Sequence, residues 1–378
     1  MIIGVLKEPS PETRVSLLPE HITILKKLSV DVHVEQGAGQ QAFAEDDKYV
    51  DTGAIITTRE EILTTATVLL SINPLTENDL NISVAKVLLG FYQPLFNPTL
   101  ISDYAAKGMA VFSMDMLPRT TRAQSMDVLS SQANIAGYKA VLLAANMFPK
   151  YFPMFMTAAG SIPPAKILIL GAGVAGLQAI ATGRRLGAVV EVFDTRPAVK
   201  EEVMSLGAKF IEVDGAADAS KAGGYAVEQS EDFMQRQKNK IAESVAKADI
   251  VITTAQIPGK KAPVLISDEM LQSMKNGSIL IDIASGSGGN SAQTKNGETF
   301  IYHGVTIVGN SFLSSGMPSD ASKLYGKNIC NFLQLIITKE GGLHLNFDDD
   351  LVAGTCIANN GKITNERVLQ LLEVLAPS

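Results

Sequence analysis

The chain has 378 residues, of which 46% are hydrophobic and 19% charged, and its formal net charge at pH 7 is −7. This length exceeds one compact domain and predicts two, and the composition is typical of globular proteins with a substantial core. The acidic balance disfavours nucleic acid as a partner, because a nucleic-acid-binding protein presents a basic face. No apolar run approaches the roughly 18 residues of a membrane span and no signal peptide is evident, so we expect a cytoplasmic protein.

Short apolar runs alternate with amphipathic segments along the N-terminal part of the chain. The predicted strands are MIIGVL, VDVHVEQG, ATVLLSIN, AKVLLGFY and MAVFSMD. The predicted helices are PEHITILKKLS and the segments around 58–66 and 97–107. This alternation predicts parallel strands joined by crossover helices. A helix over 130–147 follows, and then the proline-rich FPKYFPMFMTAAGSIPPA, which we expect to lack regular structure and to mark a boundary.

A second α/β alternation begins at Lys166 and continues to about Val308, and a helical tail without a nucleotide motif follows. We expect the tail to return to the first domain. The predicted fold class is therefore α/β, with two Rossmann-like, doubly wound domains of mainly parallel strands and the second domain inserted into the first. The predicted boundaries are 1–130 plus 312–378 for the first domain and 131–311, with the connecting helix, for the inserted one.

The strongest motif is a glycine-rich loop in KILILGAGVAGLQAIATGRRLGAVVEVFD. A buried strand, the loop, a helix and a second strand ending in an acid follow one another, which predicts dinucleotide binding. The glycines permit a tight turn, close approach to the pyrophosphate and close helix–strand packing, and the helix N-terminus presents N–H groups to that pyrophosphate. The residues of the motif are Gly171, Gly173, Val174, Gly176 and Asp194.

The residues around this motif predict NAD(H) rather than NADP(H). Asp194 would accept hydrogen bonds from both ribose hydroxyls and repel a 2′-phosphate. Arg196 either accommodates that phosphate or is a solvated cation at the rim. Two later strands, in ADIVITTAQIPG and GSILIDIASGSGGN, end in small and polar residues, and such carboxyl ends face the ligand. Thr254, Ala255 and Gln256 therefore line the cofactor or else belong to an ordinary strand-to-loop transition.

Side chains suited to proton transfer are scarce. A dehydrogenase of alcohols or amines positions a His, Lys, Tyr or carboxylate for the proton. None of the four histidines lies in a segment typical of a catalytic loop, and we interpret all four as structural: His21, His33, His303 and His344. No His or Cys spacing indicates a metal site. Hydride transfer between two nicotinamide rings needs no proton transfer, only an oriented ring and exclusion of water.

The chain resembles the alanine dehydrogenase and nicotinamide nucleotide transhydrogenase superfamily over nearly its whole length. The segments that carry the likeness are GVLKEPSPETRVSLLPE, GAGVAGLQAIATGRRLGA and DTRPAVKEEVMSLGAKF. Alanine dehydrogenases use an Arg, a Lys and a His of the N-terminal domain. Arg14 matches the first, but Ile72 and Gln93 lie approximately where the Lys and His would fall. The resemblance therefore favours the transhydrogenase branch over an amino-acid dehydrogenase.

One segment, RTTRAQSMDVLSSQANIAGYKAV, resembles the nicotinamide-contacting loop of the NAD(H)-binding component of transhydrogenases. The resemblance implies that four side chains of this loop surround the nicotinamide and its ribose, with the Arg and the Asp as a charged pair. These side chains are Arg119, Gln124, Asp127 and Ser130. The alternative is a polar helix start in which Asp127 or Ser125 caps the following helix.

A second segment, SKAGGYAVEQSEDFMQRQKNK at 220–240, resembles the family's mobile loop, with Tyr225 as the matching aromatic. By itself the same segment is typical of a solvated helix with a flexible hinge.

The resemblance implies the peripheral NAD(H)-binding alpha subunit of a proton-translocating NAD(P)+ transhydrogenase. Such a subunit passes hydride between NADH and NADP+ bound on a partner domain, and it is active only with that partner. It is expected to be a homodimer, with the helix over 130–147 as a possible surface, and to reach the inner membrane through its membrane-spanning partner subunits. The alternatives are an amino-acid dehydrogenase and a non-catalytic NAD(H)-sensing module.

Overall fold

A computed structural model describes residues 1–213 and 230–375 of the chain. These residues divide into two compact units: unit 1 comprises Met1–Gln132 and Ser315–Ser378, and unit 2 comprises Ala133–Ser314. The crossings predicted from the sequence follow residues 130 and 311. Both units are α/β, and one is inserted in the other, which confirms the predicted fold class.

The first segment of unit 1 alternates strands and helices. Its strands are β1 (Ile2–Val5), β2 (Asp31–Glu35), β3 (Ile55–Thr57), β4 (Val68–Leu70), β5 (Val87–Gly90) and β6 (Ala110–Ser113). Its helices are α1 (Pro19–Leu25), α2 (Asp46–Asp51), α3 (Arg59–Thr65), α4 (Glu77–Ile82), α5 (Pro98–Ala106) and α6 (Val128–Met147), the last of which continues into unit 2. Every strand and helix predicted for this segment is present. The structure adds α2, β3 and α4, which are too short to show a hydrophobic period.

Unit 2 begins with a hairpin and continues with a second alternation. Its strands are β7 (Phe155–Thr157), β8 (Gly160–Ile162), β9 (Lys166–Leu170), β10 (Val189–Phe193), β11 (Lys209–Phe210), β12 (Ile250–Thr253), β13 (Ile279–Asp282), β14 (Thr299–Tyr302) and β15 (Val305–Gly309). Its helices are α7 (Val174–Arg185), α8 (Lys200–Ser205), α9 (Glu231–Lys247) and α10 (Asp268–Gln272).

The chain then returns to unit 1, as expected for the tail. The elements of this segment are α11 (Pro318–Ile336), α12 (Asp350–Thr355), β16 (Cys356–Asn359), β17 (Lys362–Ile363) and α13 (Glu366–Leu375).

Both units have the strand order of a doubly wound fold. The sheet of unit 1 has the order β17-β16-β6-β5-β4-β1-β2-β3, and the sheet of unit 2 has the order β11-β10-β9-β12-β13-β15-β14. Apart from β14, β16 and β17, the neighbouring strands are parallel. Numbered along the chain, the parallel strands of each unit follow the order 3-2-1-4-5-6, so the strand order reverses between β1 and β4 and between β9 and β12. Ligands of such sheets bind at the carboxyl ends of the strands beside this switch point.

Each sheet is buried on both faces. In β9, Ile167 and Ile169 pack into one core of unit 2, whereas Leu168 and Leu170 pack into the other. In β4 of unit 1, Leu69 likewise faces the core opposite to that of its two neighbours. Because successive side chains of a strand point to opposite faces, these runs of four or five apolar residues are those of central parallel strands.

The expectation that the proline-rich stretch lacks regular structure is wrong. Strands β7 and β8 pair as an antiparallel hairpin, with Phe155 opposite Ile162 and Thr157 opposite Gly160. The prolines flank the hairpin instead of interrupting it: Pro153 precedes β7, and Pro163 follows β8. Proline excludes a strand only where its missing N–H is needed in the ladder.

The helical interpretation of the tail is incomplete, because β16 and β17 follow α12 and extend the sheet of unit 1. Strand β16 pairs antiparallel with β6, and Asn360 and Gly361 turn the chain into β17 with φ of +49° and +78°. Asn-Gly is the strongest short sequence signal for a two-residue hairpin turn, so this hairpin was visible in the sequence.

The mobile-loop expectation for 220–240 is wrong for the end of that segment, because Glu231 begins the helix α9, which continues to Lys247. A helix with many charged residues on its exposed side agrees with the alternative interpretation of this segment. The beginning of the segment, including Tyr225, lies outside the described residues.

Within residues 1–213 and 230–375, no helix combines the length and the apolar character that crossing a membrane requires. The same described residues contain no group of three or more His, Cys, Asp or Glu side chains placed to hold a metal ion.

Candidate functional site

The glycine loop lies at the switch point of unit 2, between the carboxyl ends of β9 and β12. Gly171 follows β9 with φ +109°, and a Cβ on this residue would lie 2.4 Å from Oγ1 of Thr254. A Cβ on Gly176 would lie only 1.9 Å from the carbonyl oxygen of Gly171. The first glycine therefore provides the turn and the third lets α7 approach the strand, as the motif predicts.

Gly173 is subject to a different constraint. It is the N-cap of α7 with φ −78° and ψ −171°, a conformation that any residue adopts. No atom of the described residues lies within 4 Å of the place where its Cβ would be. Neither backbone strain nor packing within the described residues requires glycine here. A pyrophosphate fits this cradle, because the side chain that is missing would fill it and the first N–H groups of a helix have no partner within the helix.

Asp194 is buried beside the glycine loop and accepts four hydrogen bonds. Oδ2 accepts from the backbone N–H of Ala172 at 2.7 Å and from Nη2 of Arg196 at 2.8 Å. Oδ1 accepts from the backbone N–H of Arg196 at 2.8 Å and from its Nε at 2.9 Å. A carboxylate offers about four acceptor positions, so a ribose must displace the Arg196 guanidinium to bond Asp194. The hydrogen bonds to Asp194 in turn hold the pKa of Arg196 above its usual range.

The three residues predicted after β12 differ in their surroundings. Thr254 Oγ1 donates to the carbonyl oxygen of Gly171 at 3.1 Å and so braces the glycine loop. Ala255 donates its N–H to Oδ1 of Asn290 at 3.0 Å and accepts from Nδ2 of the same side chain at 2.8 Å. Gln256 is exposed. The fully buried Asn290, which was not among the predicted residues, therefore fixes the loop; its only signal was its place at the end of GSILIDIASGSGGN.

Asp127 and Ser130 meet at the start of α6 in unit 1. The Asp127 carboxylate accepts from the Ser130 backbone N–H at 2.9 Å and from its hydroxyl at 2.6 Å. This is the side-chain cap that the alternative interpretation of the segment assigned to Asp127. A cap orders the loop that precedes the helix, so this geometry is compatible with both interpretations.

The other two predicted residues of the loop, Arg119 and Gln124, are exposed. Arg122 in the same loop was not among the predicted residues. Its guanidinium bonds both oxygens of Asp349 at 2.8 and 2.5 Å and also contacts Asp350. These aspartates lie 227 and 228 residues further along the chain, which is why no local pattern indicated the pairing.

A second group of buried polar side chains lies near the switch point of unit 1. Glu8 follows β1 and accepts from the backbone N–H groups of Ile72 at 2.6 Å and Asn73 at 3.0 Å, after β4. Burial raises the pKa of this carboxyl to about 7. Arg14 donates from Nε and Nη2 to Glu12 at 2.8 and 2.7 Å. Burial opposes ionisation of Glu12, but these bonds outweigh it and hold its pKa below the usual value.

The positions that matter for an amino-acid dehydrogenase do not provide proton-transfer groups. Ile72 is apolar and buried, and Gln93 is exposed with φ +48°. The ring of His21 bonds the N–H of Leu18 and the carbonyl oxygen of Lys323, in agreement with a structural role. Arg14 matches the substrate-binding Arg, but three of its N–H groups already bond Glu12 and Gln132.

Comparison with known proteins gives concordant results. Residues 4–136 match the family model described as alanine dehydrogenase/PNT, N-terminal domain, and residues 140–366 match that described as alanine dehydrogenase/PNT, C-terminal domain. An NAD(P) transhydrogenase subunit alpha chain from Rhodospirillum rubrum is 44% identical over 376 residues, which cover 97% of this chain and 98% of that protein.

Two solved structures are also similar. The crystal structure of transhydrogenase from Sinorhizobium meliloti superimposes with a TM-score of 0.88 at 43% identity, covering 96% of this chain and 100% of that one. An L-alanine dehydrogenase superimposes with a TM-score of 0.82 at 20% identity, with each chain covered completely. The second likeness shows the fold alone.

Proposed function

Because this chain belongs to the alanine dehydrogenase/PNT family, we propose that it is the NAD(H)-binding alpha-type subunit of a proton-translocating transhydrogenase. It would pass hydride between NADH and NADP+ bound on a separate partner domain. The observation that carries the proposal is the glycine cradle at the switch point of unit 2, where Gly173 leaves room for a pyrophosphate and Asp194 lies 2.7 Å from the Ala172 N–H. The 44% identity to a transhydrogenase alpha subunit favours this branch of the family.

Unit 2 supplies the nucleotide-binding groups in this proposal. The N-terminus of α7 holds the pyrophosphate, and Gly173 permits its approach. Asp194 accepts from the ribose hydroxyls once Arg196 has moved aside, and it disfavours a 2′-phosphate. Thr254 and Ala255, which are fixed by Gly171 and Asn290, shape the adjacent wall. When bound, NAD(H) supplies the hydride.

The loop of unit 1 supplies the groups that orient the nicotinamide ring. Gln124 offers an exposed amide for the carboxamide, and Ser130 offers a hydroxyl that Asp127 already orients. Arg119 provides the cationic group. Ile72 and Gln93 provide no acid or base, which suits a transfer of hydride without a proton.

We further infer that the chain acts as a homodimer beside membrane-spanning partner subunits at the inner membrane. The helix α6 is a poor dimer surface, because only Asn134 and Asn146 on it are exposed. The hairpin of β7 and β8 is a better one, because all six of its strand residues are exposed, Met156 by 73%. An isolated two-stranded hairpin is marginal in water, and pairing with its copy about a two-fold axis would extend it.

Hydride transfer by the purified chain tests the proposal. The chain would be mixed with a recombinant NADP(H)-binding domain, NADPH and an NAD+ analogue whose reduced form absorbs at a shifted wavelength, and each component would be omitted in turn. Rapid reduction of the analogue that requires the chain, the partner domain and NADPH together would support the subunit role. NADH binding without transfer in any mixture would instead favour a sensing module, and reduction of NAD+ by an amino acid would favour an amino-acid dehydrogenase.

A further inference from the structure

One buried amide bridges the two ends of the loop that contains Asp127 and Ser130. Asn328 lies in α11 and is 7% exposed. Its Nδ2 donates to the carbonyl oxygen of Ser125 at 2.9 Å, and its Oδ1 accepts from the hydroxyl of Ser131 at 2.7 Å. The residues between these two contacts are therefore held at both ends by one side chain.

The chemistry of the contacts explains why an amide stands at this position. A carbonyl oxygen can only accept, so the bond to Ser125 requires a donor and determines which end of the Asn328 amide carries nitrogen. The other end must then accept, and Ser131 provides the donor. Aspartate would offer no donor to the carbonyl, and an aliphatic side chain would leave both partners of the loop unpaired.

Other residues of the C-terminal segment hold the same loop. Nδ2 of Asn331, one turn along α11, donates to the same Ser125 carbonyl oxygen at 2.8 Å. Arg122, just before Ser125, is paired with Asp349 at the start of α12. Asn328 differs from these in being buried and in reaching both ends of the loop.

We propose that Asn328 is a positioning residue for hydride transfer. It holds the backbone from Ser125 to Ser131 so that Gln124, Asp127 and Ser130 present their polar groups to the nicotinamide in one arrangement. The inference rests on the proposed function, because it takes the nicotinamide as the group that this loop orients. Asn328 itself contacts neither nucleotide.

The expected consequence is a loss of transfer rate with little loss of binding. Misplacement of orienting groups by about 1 Å lowers a rate as much as 100-fold. We expect Asn328→Ala and Asn328→Asp to slow hydride transfer at saturating nucleotide by about 10- to 100-fold. We expect the NADH dissociation constant to change by less than about 3-fold, because the main binding groups lie in unit 2.

A matched control lies on the same helix. Nε2 of Gln334 donates to the carbonyl oxygen of Cys330 at 3.1 Å, within α11, so Gln334→Ala removes an amide bond without touching the loop. Ser131→Ala removes one of the two loop bonds from the other side and leaves α11 intact, so it serves if the Asn328 variants fold poorly. We expect Ser131→Ala to give an intermediate loss of rate and Gln334→Ala to give none.

Trypsin provides a readout that does not depend on hydride transfer, because Arg119 and Arg122 are exposed in the loop. If Asn328 holds the loop, Asn328→Ala will speed cleavage after these arginines relative to Gln334→Ala. Faster cleavage together with slower transfer supports the proposal. Equal cleavage, or faster cleavage with an unchanged transfer rate, overturns it. Absence of transfer in the unmodified chain with its partner contradicts the proposed function instead, whatever the cleavage result.

Discussion

Gly173 and Gly176 belong to one loop but are glycines for different reasons. A Cβ on Gly176 would meet the carbonyl oxygen of Gly171 at 1.9 Å, whereas a Cβ on Gly173 would meet no atom of the described residues within 4 Å. The first constraint comes from the fold, and the second is explained by a ligand that must approach the backbone. A single methyl group therefore distinguishes the two roles.

We expect Gly176→Ala to lower the free energy of unfolding by about 1 to 3 kcal/mol, because the added carbon overpacks the contact between helix and strand. We expect Gly173→Ala to leave it unchanged or raise it by up to about 1 kcal/mol, because the backbone there suits any residue. Gly173→Ala should nevertheless weaken NADH binding by about 10-fold or more. Urea unfolding and calorimetric titration with NADH measure both quantities, and tight NADH binding by Gly173→Ala would refute the cradle.

Glu8 makes a pH-dependent contribution to stability. Burial raises its pKa to about 7, compared with about 4.3 in an unfolded chain. The folded protein therefore holds this proton more tightly, so the contribution of Glu8 to stability is greatest below about pH 4.3 and is lost as the pH rises to about 7. Glu8→Gln does not titrate. We expect the unmodified chain to lose about 3 kcal/mol relative to this variant between pH 4.5 and 7.5.

Urea unfolding of both proteins across this pH range tests the expectation. Glu77→Gln, which alters an exposed carboxyl at the start of α4, is the control for a change of charge. If the stabilities of the unmodified chain and Glu8→Gln ran parallel with pH, Glu8 would be ionised throughout.

Among the elements, the hairpin of β7 and β8 forms a separate two-stranded sheet. Its apolar side chains are exposed, and the rings of Tyr151 and Phe155 stack beside it at 5.3 Å, within 5° of parallel. Burial of exposed apolar groups against a second copy is the reason to expect a dimer here.

We expect Met156→Ser to weaken the dimer by about 10-fold or more while leaving the stability of the subunit unchanged, because the side chain contributes little to its own subunit. Ile301→Ser in β14 is a matched control, because Ile301 and Met156 are both 73% exposed. Sedimentation over a range of concentrations measures the association. Equal dissociation constants for the two variants would move the interface away from the hairpin.

At the scale of the whole molecule, one continuous chain segment builds unit 2, whereas two segments build unit 1. Unit 2 has its own sheet and its own cores on both faces of that sheet. The predicted nucleotide-binding residues among the described ones all lie in unit 2, whereas the predicted nicotinamide-contacting residues lie in unit 1. Separating the segments therefore separates the two predicted contributions to binding.

We expect a fragment of residues 133–314 to fold and to bind ADP-ribose as tightly as the full chain does. The full chain should bind NADH more tightly than ADP-ribose by about 10-fold, because the loop of unit 1 adds contacts to the nicotinamide, and the fragment should lose this difference. Titrations of both proteins with both ligands measure it. A fragment that kept the preference for NADH would place the nicotinamide contacts within unit 2.

Much of the fold could be predicted because it is written in local patterns. Buried strands such as VLLG and KILIL, separated by amphipathic helices, indicated parallel sheets before any contact was known. The hairpin of β7 and β8 and strands β16 and β17 were missed, because strands of two to four residues derive their stability from pairing and not from their own sequence. For β17 the Asn360–Gly361 turn was an available signal.

The sequence by itself determined the glycine cradle, since a strand, a tight turn and a helix N-terminus are built from consecutive residues whose steric needs are read directly from Gly171, Gly173 and Gly176. Only the tertiary structure decided which polar groups meet. Asn290 reaches Ala255 across 35 positions, and Asn328 reaches Ser125 across 203. Such pairs form because parallel strands and returning segments bring distant residues together, and burial then requires every polar group to find a partner. That requirement follows from the packing of the whole chain, so no local stretch of sequence reveals it.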